Sequence, residues 1–512
     1  MINLMHKLFF WQAAKKYLPL FLALILLATA CSPAPALPSE DSGLPAAQAA
    51  GLDPRDEQPD AVASAPDFTP RPNYQPAELV DYTAQMGDTL VALAAHFNTT
   101  VPEILAANSF IPTSATTMPP GMPMQVPIYY LPMWGSQYQI LPDSLFVNGP
   151  AQSNFDTSAF AADYPGWLNN YRSFVSGANR TGPEIVDVVA QNYSLSPRLL
   201  LALLEYQSGA LSQPADTADM TYPLGYQNRR YRGLFLQLAW AANQLNNNYY
   251  AWRRGTTVEF TFTNGRIERP DPWQNAGTVA LQAFFVLLQD QDVYNYSISE
   301  AGFAAVYADL FGDPWAAVEP HIPGSLIQPE MLLPFERGKA WTYTGGPHTG
   351  WGNGEPYAAI DFAPPSVVGG CQESQEWATA IAPGVVTRSE EGLVELDLDG
   401  DGDPHTGWTM MYLHVGTEGR AALGAELNTG DRIGHPSCEG GSATGTHVHI
   451  ARRYNGEWML ADGPLGFNLE GWVAHDGAAP YLGTLERFTT VVKACTCSNL
   501  ESQITAGAAG EP

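Results

Sequence analysis

The run Thr446-His447-Val448-His449-Ile450 alternates with period two, so on a strand His447 and His449 share one face and Val448 and Ile450 the other. Two imidazoles about 7 Å apart on one face can serve as a metal ligand and a neighbouring acid or base. Taken alone, the pair equally describes two satisfied histidines on a polar surface. Seven of the ten histidines, however, fall between His348 and His475, in a C-terminal third otherwise composed of strand patterns, glycines and turns. The glycine-rich turn Cys438-Glu439-Gly440-Gly441 leads into the pair, Gly345-Gly346-Pro347-His348 stands thirteen residues before Asp361, and Tyr412-Leu413-His414 ends another alternating run begun at Trp408.

From about Leu333 to Leu482 this ensemble resembles the zinc endopeptidases of the lysostaphin and β-lytic type (LytM-like), which cut peptidoglycan peptides. Lysostaphin-like members carry their first histidine four residues before the aspartate, where this chain has Tyr357. The β-lytic branch has the longer separation seen between His348 and Asp361, together with the Cys-Glu-Gly-Gly turn. The resemblance implies that His348, Asp361 and His449 bind Zn2+ and that His414 and His447 flank the reacting water. Such a set is chemically sufficient. Two imidazoles and one carboxylate leave a fourth tetrahedral position open, where zinc lowers the pKa of water to about 7. His414 or His447, with an ordinary pKa near 6.5, can take and return the proton; the sequence leaves open which is the base.

The positions before this region must present it to a substrate. A chain of 512 residues exceeds one hydrophobic core, and the expectation is a multidomain α+β protein. Residues 81–128 run Tyr82, Gly87-Asp88-Thr89-Leu90, a helical apolar period and a second start at Thr100-Val101-Pro102. This resembles a LysM module, a βααβ unit that binds N-acetylglucosamine-containing glycan, and implies Gly87, Asp88, Thr89 and Asn108 as glycan-binding candidates. Residues 150–325 are helical in pattern, with starts at Pro183 and Ser196-Pro197, amphipathic runs at Leu234–Leu245 and Val279–Leu288, and a Ser297/Glu300 capping box before Phe303. An all-α domain follows. Its Pro197–Gly209 run resembles the catalytic helix of lytic transglycosylases, implying a lysozyme-like domain, but Gln207 stands where a carboxylic acid would donate the proton. Glu205 is about 200° round the helix from it, so the run reads equally as a helical spacer. Residues 330–485 are expected to form the antiparallel β-sheet peptidase domain and 486–512 a tail, which is small, polar and loose after Lys493.

Acids outnumber bases 52 to 24, a net charge of −28, which excludes nucleic acid as a natural partner because the long-range field repels phosphate. Lys7, Lys15 and Lys16 precede an uncharged apolar stretch to Ala30, shorter than the roughly twenty residues a spanning helix needs, so 1–30 reads as a secretion signal. Ala28-Thr29-Ala30-Cys31 resembles a lipobox, implying lipidation of Cys31 and a membrane anchor, with 31–80 as a Pro/Ala-rich linker. The remaining Cys371, Cys438, Cys495 and Cys497 allow three pairings, and Cys371 with Cys438 is favoured because both flank the histidine cluster.

Asp397-Leu398-Asp399-Gly400-Asp401-Gly402-Asp403 has the carboxylate spacing of a Ca2+ loop, but Trp408 occupies the twelfth position, and a polar hairpin turn is the competing reading. The expectation is an extracytoplasmic zinc endopeptidase acting on peptidoglycan peptides and held to the wall by LysM. The alternatives are a catalytically silent wall-binding scaffold, or a helical domain cleaving glycan through Glu205.

Overall fold

The computed structural model describes residues 70–215, 220–257, 259–366, 369–372, 374–495 and 499–507. The expected secretion signal, Cys31 and most of the expected linker lie outside the described residues.

Strands β1 (Glu78–Thr83) and β2 (Pro123–Ile128) pair antiparallel, with Val80 opposite Val126. Between them run α1 (Leu90–His96), whose first turn is capped by the Thr89 side chain, and α2 (Val101–Ala107), where Thr100 and Glu103 form a reciprocal capping box. Tyr82, Leu93, Phe97, Ile104 and Val126 fill the space inside. This is the βααβ unit the sequence predicts.

The helical part comprises α3 (Asp143–Phe146), α4 (Thr157–Ala162), α5 (Gly182–Tyr193), α6 (Pro197–Ser208), α7 (Leu234–Arg254), α8 (Ala276–Val286), α9 (Gln291–Ser297) and α10 (Phe303–Phe311). It is not all-α. Two hairpins interrupt it, β3 (Arg172–Val175) with β4 (Ala178–Thr181), and β5 (Phe260–Thr261) with β6 (Ile267–Glu268). In the first, Ser176 and Gly177 both take positive φ, the backbone that a two-residue hairpin turn requires. The expected Ser297/Glu300 capping box is absent. Ser297 closes α9 and its hydroxyl bonds the Tyr206 hydroxyl at 2.7 Å, while α10 starts after Gly302 without a side-chain cap.

The C-terminal part is built on a nine-stranded sheet of β7 (Ala340–His348), β8 (Ala359–Ala363), β10 (Gly384–Glu390), β11 (Leu393–Asp397), β12 (Trp408–Leu413), β13 (Glu426–Leu427), β15 (Val448–Tyr454), β16 (Glu457–Trp458) and β21 (Gln503–Thr505). The order is β13-β10-β11-β12-β15-β8-β7-β21, every pair antiparallel, with β16 folding back on β15 through the Asn455-Gly456 turn. Smaller sheets pair β9 (Ala378–Thr379) with β14 (Arg432–Gly434) and align β17 (Asn468–Leu469), β18 (Trp472–Asp476), β19 (Gly483–Arg487) and β20 (Thr490–Lys493). The stretch after Lys493, expected to be loose, instead supplies β21, which pairs with β7, Ile504 opposite Trp341. Ile504 is buried, so its apolar side chain drives the docking of that edge.

Period-two alternation puts different residues on the two faces of the sheet. Met410, Tyr412, Val448 and Ile450 enter one core with Phe362 and Trp341, whereas Met411, Leu413, Ala451 and Trp458 enter the core of the helical part. His449, two residues before Ala451, therefore lies on the face turned toward the helices. Arg253 on α7 is buried and locks the junction: it contacts Asp143 at 3.0 Å and Glu457 at 3.0 Å, and donates to the Met86 carbonyl at 2.5 Å. His321 also meets Glu457, at 2.7 Å. Burial would raise the Glu457 carboxyl, but Arg253 and His321 outweigh it and hold it at about 2.

Candidate functional site

Each predicted metal ligand comes from a different strand, and the pairing register brings the three together. His449 on β15 stands opposite Asp361 on β8, and β7, which ends at His348, runs along the other side of β8. His348 Nε2 lies 3.3 Å from Asp361 Oδ1, His449 Nδ1 lies 3.2 Å from the same oxygen, and the two ring nitrogens are 3.0 Å apart. All three residues are buried.

Backbone carbonyls fix which nitrogen faces inward, because a carbonyl can only accept. His348 Nδ1 donates to the Gly346 carbonyl at 2.8 Å, leaving Nε2 with its lone pair toward the site. His449 uses the opposite edge, Nε2 donating to the Gly350 carbonyl at 3.2 Å and leaving Nδ1 free. Asp361 Oδ1, buried, has no hydrogen-bond donor of its own. Three lone-pair-bearing atoms thus converge on one point, an arrangement that is repulsive unless a cation or proton sits among them. Two imidazoles and a carboxylate are the donor set zinc takes, so the residues fit that ion. Burial would raise the Asp361 carboxyl, yet His348 and His449 hold it well below its usual range. Burial disfavours the His348 imidazolium, and Asp361 overrides it to raise the pKa; at His449 burial wins and lowers it.

His414 and His447 stand beside this cluster, 4.5 Å apart between ring centroids, with His447 Nε2 3.8 Å from Asp361 Oδ2. Both again give Nδ1 to a carbonyl, His414 to Glu439 at 2.8 Å and His447 to Gly445 at 2.7 Å, so both turn Nε2 away from these anchors. Burial, then the neighbouring His447, lowers the His414 pKa to about 4. His414 has φ +65°, a sparsely populated backbone for a residue with a side chain, and its carbonyl is held by both the amide and the hydroxyl of Ser437 at 2.7 and 3.0 Å. The disulfide Cys371–Cys438, Cα atoms 5.8 Å apart, anchors the start of the turn that supplies the Glu439 and Gly445 carbonyls. Cys495 is also disulfide-bonded.

Some participants give no sequence signal. Tyr481 stacks on His348 with ring centroids 4.0 Å apart, although 133 positions separate them. Gly345 approaches Asp361 so closely that a Cβ there would lie 2.4 Å from Oδ2. Residues 349–357, which carry the Gly350 carbonyl, are held from α7: Asn243 Oδ1 accepts from the Asn353 amide and Asn247 Oδ1 from the Glu355 amide, each at 2.7 Å. Arg254 adds an ion pair to Glu355 at 2.6 Å. A backbone carbonyl and a distant helix leave no motif to read.

The other candidates lie elsewhere. Asp88 is buried and accepts from the Tyr82 hydroxyl and the Gln85 amide, both at 2.7 Å, while buried Asn108 bonds the Ile104 and Gln125 carbonyls. These two shape the module from inside. Gly87 packs under the Arg253 guanidinium, and Gly87 and Thr89 line a cavity of about 260 Å³ with Thr117, Tyr250 and Trp458. Glu205 accepts from the Leu211 and Ser212 amides, closing the turn after α6. His405, His435 and His475 bond Asp403, the Glu376 carbonyl and Asp462, outside the cluster.

Residues 139–324 match the family model "LasA, N-terminal domain", and residues 82–127 match "LysM domain". The helical part thus has a LasA-type counterpart. The chain is 25% identical over 341 residues to protease LasA of Pseudomonas aeruginosa (strain UCBPP-PA14), covering 63% of this chain and 75% of the relative. It is 30% identical over 153 residues to the beta-lytic metalloendopeptidase of Achromobacter lyticus, 28% of this chain and 38% of that one. A solved M23 metalloprotease, pseudoalterin, aligns at 25% identity over 33% of this chain and 96% of its own, with a TM-score of 0.28. The chain is therefore similar to LasA protease and to the β-lytic metalloendopeptidases, and it carries a match to the LysM domain.

Proposed function

We propose that the chain is a cell-wall metalloendopeptidase that hydrolyses stem or bridge peptides of peptidoglycan, acting outside the cytoplasm. The observation that carries this reading is the convergence of His348 Nε2, Asp361 Oδ1 and His449 Nδ1 within 3.0–3.3 Å of one another, with two further histidines beside them.

His348, Asp361 and His449 would hold zinc, which supplies a Lewis acid for a peptide carbonyl and acidifies water to a pKa near 7. The chain's own groups do the rest. His414, kept neutral by burial and with Nδ1–H committed to Glu439, has an Nε2 lone pair to accept the proton of the attacking water. His447, fixed through Gly445, is placed to hold the developing oxyanion and to protonate the leaving amine. Tyr481 and the Gly346 and Gly350 carbonyls keep the ligand rings in orientation.

The LysM module would hold the enzyme to wall glycan. Lipidation of Cys31 would keep it at the membrane after export; among the described residues no single helix is long and apolar enough to cross a membrane. The test is to incubate the full chain with purified wall peptides, with and without a chelator, and to sequence new amino termini. Termini that depend on metal support the reading; termini indifferent to chelation reject it, and none at all favours the scaffold.

A further inference from the structure

The turn between β11 and β12 gathers several carboxylates. Asp397, Asp399 and Asp401 each bring a carboxylate oxygen within 4.8 Å of the others. Among the described residues no lysine, arginine or histidine forms an ion pair with any of them. Three like charges at this separation repel unless protons or a cation intervene.

The second observation is Asp397 itself. Its side chain is 0% exposed, and although Oδ2 accepts from the Gly402 amide at 2.9 Å, Oδ1 is buried with no hydrogen-bond partner. A carboxylate oxygen shut away from both water and donors is costly, and a metal ion is one group that would repay it. The glycines keep the turn tight: Gly402 has φ +82°, and a Cβ at Gly407 would strike Asp399 Oδ2 at 2.1 Å.

We propose that Asp397, Asp399 and Asp401 form a calcium site distinct from the His348/Asp361/His449 cluster. The donors are all oxygen, the preference of a hard cation such as Ca2+ and unlike the imidazole-rich set zinc selects. Trp408, at the twelfth loop position, supplies no carboxylate, so water completes the shell. The ion would brace a turn tied to the body of the protein, since Gly407 and Asn455 exchange hydrogen bonds at 2.7 and 2.8 Å. It would also fix the entry to β12, the strand that ends beside His414.

The experiment is equilibrium dialysis of the full chain against CaCl2, after chelation and with zinc restored, in parallel with thermal melts in CaCl2 and MgCl2. Wild type and His449→Ala should each bind one Ca2+ saturably and melt higher in CaCl2 than in MgCl2. Asp399→Asn with Asp401→Asn changes two exposed side chains and leaves the buried Asp397 in place, so it should fold, with affinity down by about tenfold or more and no calcium-dependent rise in melting. No saturable binding by wild type, or equal binding by the double variant, would overturn the proposal. Loss of the site in His449→Ala would also overturn it, because the two sites would not be separate.

Discussion

His449 and Asp361 face each other across the β15–β8 pair, with His449 Nδ1 3.2 Å from Asp361 Oδ1. That pairing sets the geometry of the proposed metal site, because a shift of one residue in register would turn His449 to the opposite face of the sheet. His449→Ala and Asp361→Asn should therefore both lose zinc by elemental analysis and lose peptide hydrolysis together, while far-ultraviolet circular dichroism stays unchanged.

His414→Ala separates ligand from base. Its ring is no member of the converging trio, so zinc content should stay at the wild-type level while kcat falls by roughly 10²–10⁴, the usual contribution of a positioned base. Zinc lost in parallel with activity would make His414 a ligand and not a base.

The helical part takes part in organising the site through two asparagines. Replacing Asn243 and Asn247 with alanine frees residues 349–357, which carry the Gly350 carbonyl that orients His449. Outer partners of a ligand are worth about 10–100-fold in metal affinity, so the double variant should need up to roughly tenfold more free zinc for half-activation. An unchanged zinc titration would mean that the loop holds its shape without α7.

Acid stability should carry the mark of Glu457. Its carboxyl sits at about 2 in the folded chain against an ordinary value of about 4.5, so its stabilising contribution is fully present above pH about 4.5 and is lost as pH falls toward 2. Glu457→Gln should lower the melting temperature at neutral pH, because Arg253 then loses its Glu457 partner while buried, a cost of about 3–5 kcal/mol. The difference between wild-type and variant melting curves should shrink through that acid window. A difference independent of pH would show that Glu457 matters through packing alone.

The chemistry was easier to read from the sequence than the architecture around it. The alternation around His447 and His449, the glycine-rich turn and the distance from His348 to Asp361 are local patterns, and the strands keep them because side chains alternate strictly along a sheet. Caps at Thr89, Thr100 and Ser196 likewise declare their helices through short-range bonds. What escaped was set by tertiary contact. Gln503–Thr505 is too short to carry a pattern and becomes a strand because Ile504 finds an apolar place beside Trp341. Ser297 had the composition of a cap, but a hydrogen bond to Tyr206 drew it into the end of α9. Tyr481 stacks on His348 only because the small sheet of β17 to β20 folds back over the end of β7.

The most direct test is an anomalous difference map recorded at the zinc absorption edge from crystals grown with the metal. It should hold one strong peak within about 2.0–2.2 Å of His348 Nε2, Asp361 Oδ1 and His449 Nδ1. A peak bound by any other set of residues, or none at that position in zinc-replete crystals, would contradict the account.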